Sequence, residues 1–152
     1  SMSAFVAQNV GAGKEDRARK AMRTGMLLGV TIGIFVSPLS FFRGDIPSAL
    51  FTGNQAFIAR SAEYLKGFAP EAILTCLVFS YIGYFNGHGK TIPVMVQGIS
   101  ASFLVRVPLS YLFSIQKGAT LTTIGYAVPL ASVYGIIFFT ICYLVFLRKM
   151  KK

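Results

Sequence analysis

Glu71 and Arg106 are the residues whose chemistry stands out, because each is a charged side chain within a long apolar stretch. A charged group near the centre of a bilayer costs about 2.5–3.5 kcal/mol on insertion-based scales, so such residues usually face a cavity or a partner. In membrane proteins they often mark the path of a substrate, an ion or a proton. We therefore take Glu71 and Arg106 as candidate substrate- or ion-binding residues.

The depths of these two residues in a membrane can be compared along their predicted helices. Glu71 is sixteen residues from Gly87, about 24 Å along a helix, and Arg106 is fourteen residues from Ile92, about 21 Å. Both therefore lie at similar height in the outer part of the membrane, on helices joined by a short turn. Two interpretations stay open: a buried ion pair, or two side chains that snorkel separately to the outer interface.

Other kinds of chemistry find little support in the residue types available. The chain has two cysteines and one histidine, too few for the four-ligand zinc sites or disulfide frameworks of small domains. Cys76 and Cys142 both lie in apolar stretches and are interpreted as packing residues. No nucleophile, base and orienting group can be assembled from one histidine and five acids. We expect a protein that is not an enzyme, with no metal site and no cofactor.

The segment from Gly87 to Thr91 resembles the end of a phosphate-binding loop. That motif requires a glycine at position 84, where this sequence has Tyr84. The glycines instead predict a tight turn between two apolar stretches, with Pro93 near the start of the next helix. His88 is then a loop histidine, and a pH-sensing role is the alternative.

The elements that must position these residues follow from the composition. The 152 residues are 54% hydrophobic and only 13% charged, whereas soluble domains are about a quarter charged. A bilayer core requires about 20 mostly apolar helical residues. Four stretches satisfy this requirement: 24–42, 67–87, 92–116 and 119–147. The sequence thus predicts an all-α fold, a polytopic membrane bundle with four transmembrane helices.

The distribution of Lys and Arg predicts the orientation of these helices. The net charge of +10 suggests nucleic acid at first, but the charges form clusters between the apolar stretches. One side would carry Lys14, Arg17, Arg19, Lys20, Arg23, Lys90, Arg148, Lys149, Lys151 and Lys152, and the other Arg43, Arg60, Lys66 and Lys117. The positive-inside rule places the richer side, including the C-terminus, in the cytoplasm.

The segments outside the four stretches complete the predicted organisation. Residues 1–10 are interpreted as the end of a preceding helix, 11–23 and 148–152 as a cytoplasmic loop and tail, and 44–66 as an outer loop. Within that outer loop, residues 56–65 place apolar side chains on one face and predict a short helix at the membrane surface. The remnant of a helix at the start indicates a piece of a larger protein.

Glycines and prolines predict how the membrane helices pack and bend. Gly25, Gly29 and Gly33 recur every four residues and form a stripe that permits close approach of another helix. Pro108 and Pro129 lie inside the third and fourth stretches, where each frees a backbone carbonyl and is expected to bend its helix. In transporters such interruptions often line the pathway.

Several segments together resemble one family of transporters. Phe5-Val6-Ala7-Gln8-Asn9-Val10-Gly11-Ala12-Gly13-Lys14, followed by Arg17-Ala18-Arg19-Lys20-Ala21, is similar to a loop of the multidrug and toxic compound extrusion (MATE) family. That loop follows the second helix of each half of those proteins. The similarity continues, in order, through Tyr64-Leu65-Lys66, the turn Phe85–Thr91, and Arg106-Val107-Pro108-Leu109-Ser110-Tyr111-Leu112.

The resemblance implies a larger architecture than this chain contains. MATE proteins have twelve helices in two six-helix lobes, and they exchange organic, often cationic compounds for sodium ions or protons. The chain resembles the C-terminal lobe, so its four spans would be the ninth to twelfth helices. Implied partners are a small organic substrate, membrane lipid and the missing N-terminal lobe, but no nucleic acid. The implied location is the inner, or plasma, membrane.

The resemblance also bears on Asn86. Some members carry an acid at this position beside the glycine, and that acid has been linked to the coupling ion. Asn86 offers a carbonyl oxygen as a ligand but no charge to titrate. Glu71 is then the one acid within a predicted span of this chain, and the principal coupling carboxylate lies either here or in the missing lobe.

The function expected from the resemblance is secondary antiport for multidrug efflux. Glu71 would respond to the ion or proton, Arg106 would be its partner or a cavity charge, and the glycines and prolines would shape the moving helices. One alternative is a lipid-linked saccharide flippase of related architecture, although its substrate calls for a more cationic cavity. Another is a small four-helix membrane scaffold subunit.

Overall fold

The computed structural model describes residues 1–50, 52–116 and 118–150, with the side chains of Lys149 and Met150 excepted. The charges predicted at Lys117, Lys151 and Lys152 lie outside the described residues. Throughout the described ranges every regular element is helical, which confirms the predicted all-α class. Among the described residues, three helices are long and apolar enough to cross a membrane, or four if a bent pair of helices counts as one span. The chain is thus a polytopic helical bundle.

The first two helices are separated by a turn of only three residues. Helix α1 runs from Met2 to Gly11, and α2 runs from Glu15 to Phe42. The predicted loop over 11–23 is therefore wrong for most of its length. Acidic side chains in the first turn of α2 complement the helix dipole, and the residues that follow are good helix formers. Hydropathy indicates where an apolar stretch begins, and the helix that contains it can begin earlier.

The predicted outer loop is mostly helical as well. Helix α3 spans Asp45–Ala49 and α4 spans Gln55–Phe68, while α5 runs from Glu71 to Gly87. Helices α4 and α5 meet at an angle of 55°. Pro70 lies at this bend and has no N–H to continue the hydrogen bonds of α4. Helix α5 thus begins four residues after the start of the predicted second span, and α4 is longer than the helix predicted over residues 56–65.

The third span is interrupted at its middle. Helix α6 covers Thr91–Ser100, a π-helical segment covers Ala101–Arg106, and α7 covers Val107–Ile115. Pro108 is the second residue of α7, just after the π-helical segment, and lacks the N–H that a continuous α-helix would use there. The irregularity expected at this proline therefore takes the form of widened helical turns before it.

The fourth span also begins with a break. Helix α8 covers Leu121–Gly125, and α9 covers Ala127–Met150. Pro129 is the third residue of α9, and its missing N–H would have bonded the carbonyl of Gly125. The interruption at Tyr126 follows from this missing hydrogen bond. A further proline, Pro38, lies inside α2 and was not singled out from the sequence.

The turns after α1 and α5 have the same backbone geometry. Gly13 and Gly89 both have positive φ, at 69° and 67°. Lys14 N–H donates to the Asn9 carbonyl at 2.8 Å, and Lys90 N–H donates to the Phe85 carbonyl at 2.9 Å. These are the hydrogen bonds of a Schellman motif, for which glycine suits the left-handed position. We call the end of the bundle that carries residues 12–14 and 88–90 the basic end.

The glycine stripe of α2 lies against α5. A Cβ atom at Gly29 would come within 2.6 Å of Cys76 Cβ, and one at Gly33 would come within 2.9 Å of Ile73 Cα. At Gly25 the nearest atom is the terminal methyl of Met2, at the flexible end of a side chain in α1. Close approach to another helix was expected, and the structure shows that α5 of the same chain is that helix.

Replacement of Gly33 by alanine is expected to destabilise the bundle by about 1–3 kcal/mol, because the new methyl group meets backbone atoms that cannot move aside. Gly25→Ala is the matched control, since the Met2 side chain can rotate away. The measurement is thermal unfolding of both variants in the same detergent. Equal melting temperatures for the two variants would contradict the close α2–α5 contact.

Candidate ion-binding site

The candidate site is centred on Glu71, the first residue of α5. Its side chain is 9% exposed and lies between α5 and α9. Carboxylate oxygen Oε1 accepts a hydrogen bond from Ser132 Oγ of α9 at 2.7 Å and another from Thr75 Oγ1, one turn further along α5. Two hydroxyl groups on two different helices therefore hold one oxygen of the carboxylate.

The other oxygen of this carboxylate has no partner among the described residues. Glu71 Oε2 is buried and accepts no hydrogen bond in the described part of the chain. None of the ion pairs found among the described residues includes Glu71. A buried anion without a compensating charge is unfavourable by several kcal/mol or more, unless it takes up a proton or a cation. The geometry thus leaves one oxygen open to such a ligand.

The described residues contain no cluster of three or more His, Cys, Asp or Glu side chains. A metal cation at Glu71 would consequently rely on hydroxyl oxygens, backbone carbonyls or water for its other ligands. A proton needs only the open Oε2 atom.

Arg106 does not join Glu71. It is exposed at the end of the π-helical segment, and no ion pair links it to a carboxylate among the described residues. The ion-pair interpretation is therefore wrong for this structure. Similar depth along two helices does not fix how each helix is rotated about its axis, which is why the sequence left both possibilities open. A role for Arg106 in ion or substrate binding stays a prediction.

Asn86 lies at the other end of α5 from Glu71. The two residues are fifteen positions apart on one helix, which corresponds to about 22 Å. They therefore cannot bind the same ion. Asn86 is exposed, next to the turn at the basic end. Its predicted contribution to ion binding stays a prediction and would concern a separate site.

Polar residues that the sequence did not single out lie where α6 contacts α9. The amide of Gln97 in α6 is buried against Gly135, where a Cβ atom would come within 2.6 Å of Gln97 Nε2. Tyr134 Oη donates to Ser100 Oγ at 3.0 Å. Thr75 could have been found from its i+4 spacing to Glu71. Residues in α6 and α9 could not, since only the tertiary structure brings these helices together.

A second polar cluster lies at the basic end. His88 lies in the turn after α5, as expected for a loop histidine, but its side chain is buried there. The His88 side chain is only 5% exposed. Its Nε2 atom lies 2.9 Å from Glu15 Oε2, and Tyr84 Oη donates to Glu15 Oε1 at 2.6 Å. Folding of the turn against α2 buries the ring, and turn glycines by themselves do not indicate such a contact.

The outer surface of the bundle indicates the environment that surrounds it. Many large apolar side chains are exposed along the outer surface, among them Leu27, Phe35 and Leu104. Such a surface suits lipid or further membrane helices rather than water. Together with the long apolar helices and the buried carboxylate, it defines a multi-pass helical membrane protein with an ionisable group in its interior.

Comparison with known proteins gives the family. The MatE family matches residues 1–112, and the chain belongs to that family. Its members are transporters. A multidrug resistance protein, PmpM of Pseudomonas aeruginosa, is 30% identical over 109 residues, which cover 72% of this chain and 23% of that protein. The match therefore covers less than a quarter of that relative's length. No solved structure matches the chain.

Replacement of Ser132 by alanine is expected to lower the free energy of unfolding by about 1.5–3 kcal/mol, because it removes a hydrogen bond to a buried carboxylate. Ser114→Ala is the matched control. Ser114 is exposed and bonds only the carbonyl of Tyr111 in its own helix, so its loss should change stability by at most about 0.5 kcal/mol. Chemical unfolding in detergent compares the two, and equal effects would contradict the α5–α9 link.

Proposed function

We propose that the chain forms part of a MATE-type secondary antiporter, which exports organic, often cationic compounds in exchange for protons or sodium ions. The observation that supports this function best is the buried Glu71 carboxylate with its open Oε2 atom. The family and the name of the PmpM relative support transport of drug-like compounds. Neither of them favours a flippase or a small scaffold subunit.

In the proposed mechanism, the charge of Glu71 controls the contact between α5 and α9. When Oε2 holds a proton or a cation, the carboxylate is neutralised, and α5 and α9 can stay in contact with no water between them. When Oε2 is empty, the charge favours an arrangement in which water reaches it. The ligand thus binds two arrangements unequally, and this difference in affinity is what shifts the population between them.

The proton is the coupling ion to test first. Thr75 and Ser132 both bond Oε1, so neither hydroxyl group completes a cation shell at Oε2 without rearrangement. A sodium ion would have to recruit water, backbone carbonyls or residues of the opposing lobe. The organic substrate would lie between this lobe and that one, since the chain supplies only one wall of such a cavity.

Glu71→Gln in the complete transporter is expected to reduce ion-driven efflux of a fluorescent dye about 5–150-fold, the usual range of coupling factors. The amide keeps the size of the side chain but cannot exchange a proton. The measurement is dye efflux from vesicles under an imposed proton gradient and, separately, a sodium gradient.

Glu63→Gln is the matched control, because Glu63 lies on α4 and not between α5 and α9. It should leave efflux driven by either gradient unchanged. Undiminished coupled efflux by Glu71→Gln, at equal protein levels, would exclude the proposed role of Glu71.

We also propose that the basic end faces the cytoplasm of the inner membrane. The excess of Lys and Arg at this end supports that orientation. A green fluorescent protein fused to the C-terminus of the whole transporter should fluoresce, and alkaline phosphatase fused there should be inactive. Phosphatase inserted between α3 and α4, at residues 52–54, should be active. The reverse pattern would contradict the orientation.

A further inference from the structure

The two ring nitrogens of His88 both face hydrogen-bond acceptors. Nδ1 lies 2.9 Å from the main-chain carbonyl oxygen of Tyr84. Nε2 lies 2.9 Å and 3.1 Å from the two carboxylate oxygens of Glu15. A carbonyl oxygen can only accept a hydrogen bond, and so can an ionised carboxylate. Neutral imidazole has one N–H group and can serve only one of these contacts, so both are satisfied only by the doubly protonated ring.

The surroundings of Glu15 show where this extra proton lies. Tyr84 Oη donates to Glu15 Oε1 at 2.6 Å, and Arg19 Nε lies 3.7 Å from the same oxygen. Both contacts favour the ionised carboxylate, as does the position of Glu15 in the first turn of α2. The proton therefore belongs to His88, at the C-terminal end of α5, where the helix dipole favours a cation.

The remaining described neighbours enclose His88 and Glu15 and include no other acid in contact with His88. Helix α1 contains no charged residue, and α9 contributes Tyr143 and Phe146, whose ring centroid lies 5.2 Å from that of His88. Beside Glu15, helix α2 brings the cations Arg19 and Arg23, while Lys90 of the turn is exposed. Asp16, the other acid of the first turn, is 99% exposed and contacts Arg19. Glu15 is thus the one carboxylate bonded to His88 in the described part of the chain.

We propose that His88 and Glu15 form a second proton-binding site, which fastens the start of α2 to the end of α5. Loss of the proton leaves one ring nitrogen with a lone pair directed at an acceptor. One of the two contacts is then lost, and the attachment weakens as the pH rises. The site lies at the opposite end of α5 from Glu71 and does not depend on the role proposed for Glu71. If the basic end is cytoplasmic, this site responds to the pH inside the cell.

The test is nuclear magnetic resonance of the whole transporter labelled with ¹³C and ¹⁵N histidine. The signals of His88 are assigned by their loss in His88→Asn. At neutral pH we expect both ring nitrogens of His88 to be protonated in the wild type, and one of them to be unprotonated in Glu15→Gln. Asp16→Asn, one residue away and exposed, should leave the doubly protonated form unchanged.

A neutral His88 ring in the wild type at neutral pH would overturn the proposal. This measurement is made on the wild-type protein, and a folded variant is needed only to assign the signals of His88. An unchanged His88 spectrum in Glu15→Gln would overturn it as well.

Thermal unfolding gives a second readout. The wild type should lose a few degrees of melting temperature as the pH rises, because the form of His88 that holds both contacts is the protonated one. His88→Asn should lack this step. A step that persists in that variant would show that another group causes it.

Discussion

The contact between α2 and α5 depends on the absence of side chains at Gly29 and Gly33, where a methyl group would meet Cys76 or the backbone at Ile73. In a membrane, helices gain little from the hydrophobic effect against one another, so close van der Waals packing has to hold them together. Helix α5 is the element on which the bundle is built, because α1, α2 and α9 all pack against it. Its two ends carry the two polar clusters.

The two clusters differ in how far their buried polar groups find hydrogen-bond partners. Hydrocarbon offers no water, so each buried polar group must find a partner within the protein. At the basic end, His88, Glu15 and Tyr84 provide donors and acceptors that match when the imidazole is charged. At the other end, Ser132 and Thr75 both bond one oxygen of Glu71, and the second oxygen has no partner in the part of the chain that the structure describes. The first arrangement suits a contact that holds α2 and α5 together. The second suits a ligand that binds and dissociates.

Much of the fold was predictable, since apolar length indicates a spanning helix whatever it packs against. The all-α class, the short turn after α5 and irregular backbone near Pro108 and Pro129 could all be inferred. Helix boundaries could not be set by hydropathy alone. The polar start of α2 at Glu15 and the bend at Pro70 depend on helix propensity and on missing hydrogen bonds, which an apolar count does not measure.

From the sequence alone it follows that Glu71 is an acid within a long apolar stretch, that Gly25, Gly29 and Gly33 share one face, and that the charges favour one orientation. Which groups surround these residues depends on how the helices pack. The tertiary structure separated Arg106 from Glu71, supplied Ser132 from α9, and placed His88 on Glu15. Spacing along a chain fixes the depth and the face of a residue within one helix, whereas the rotation and the neighbours of that helix are set by packing with helices distant in sequence.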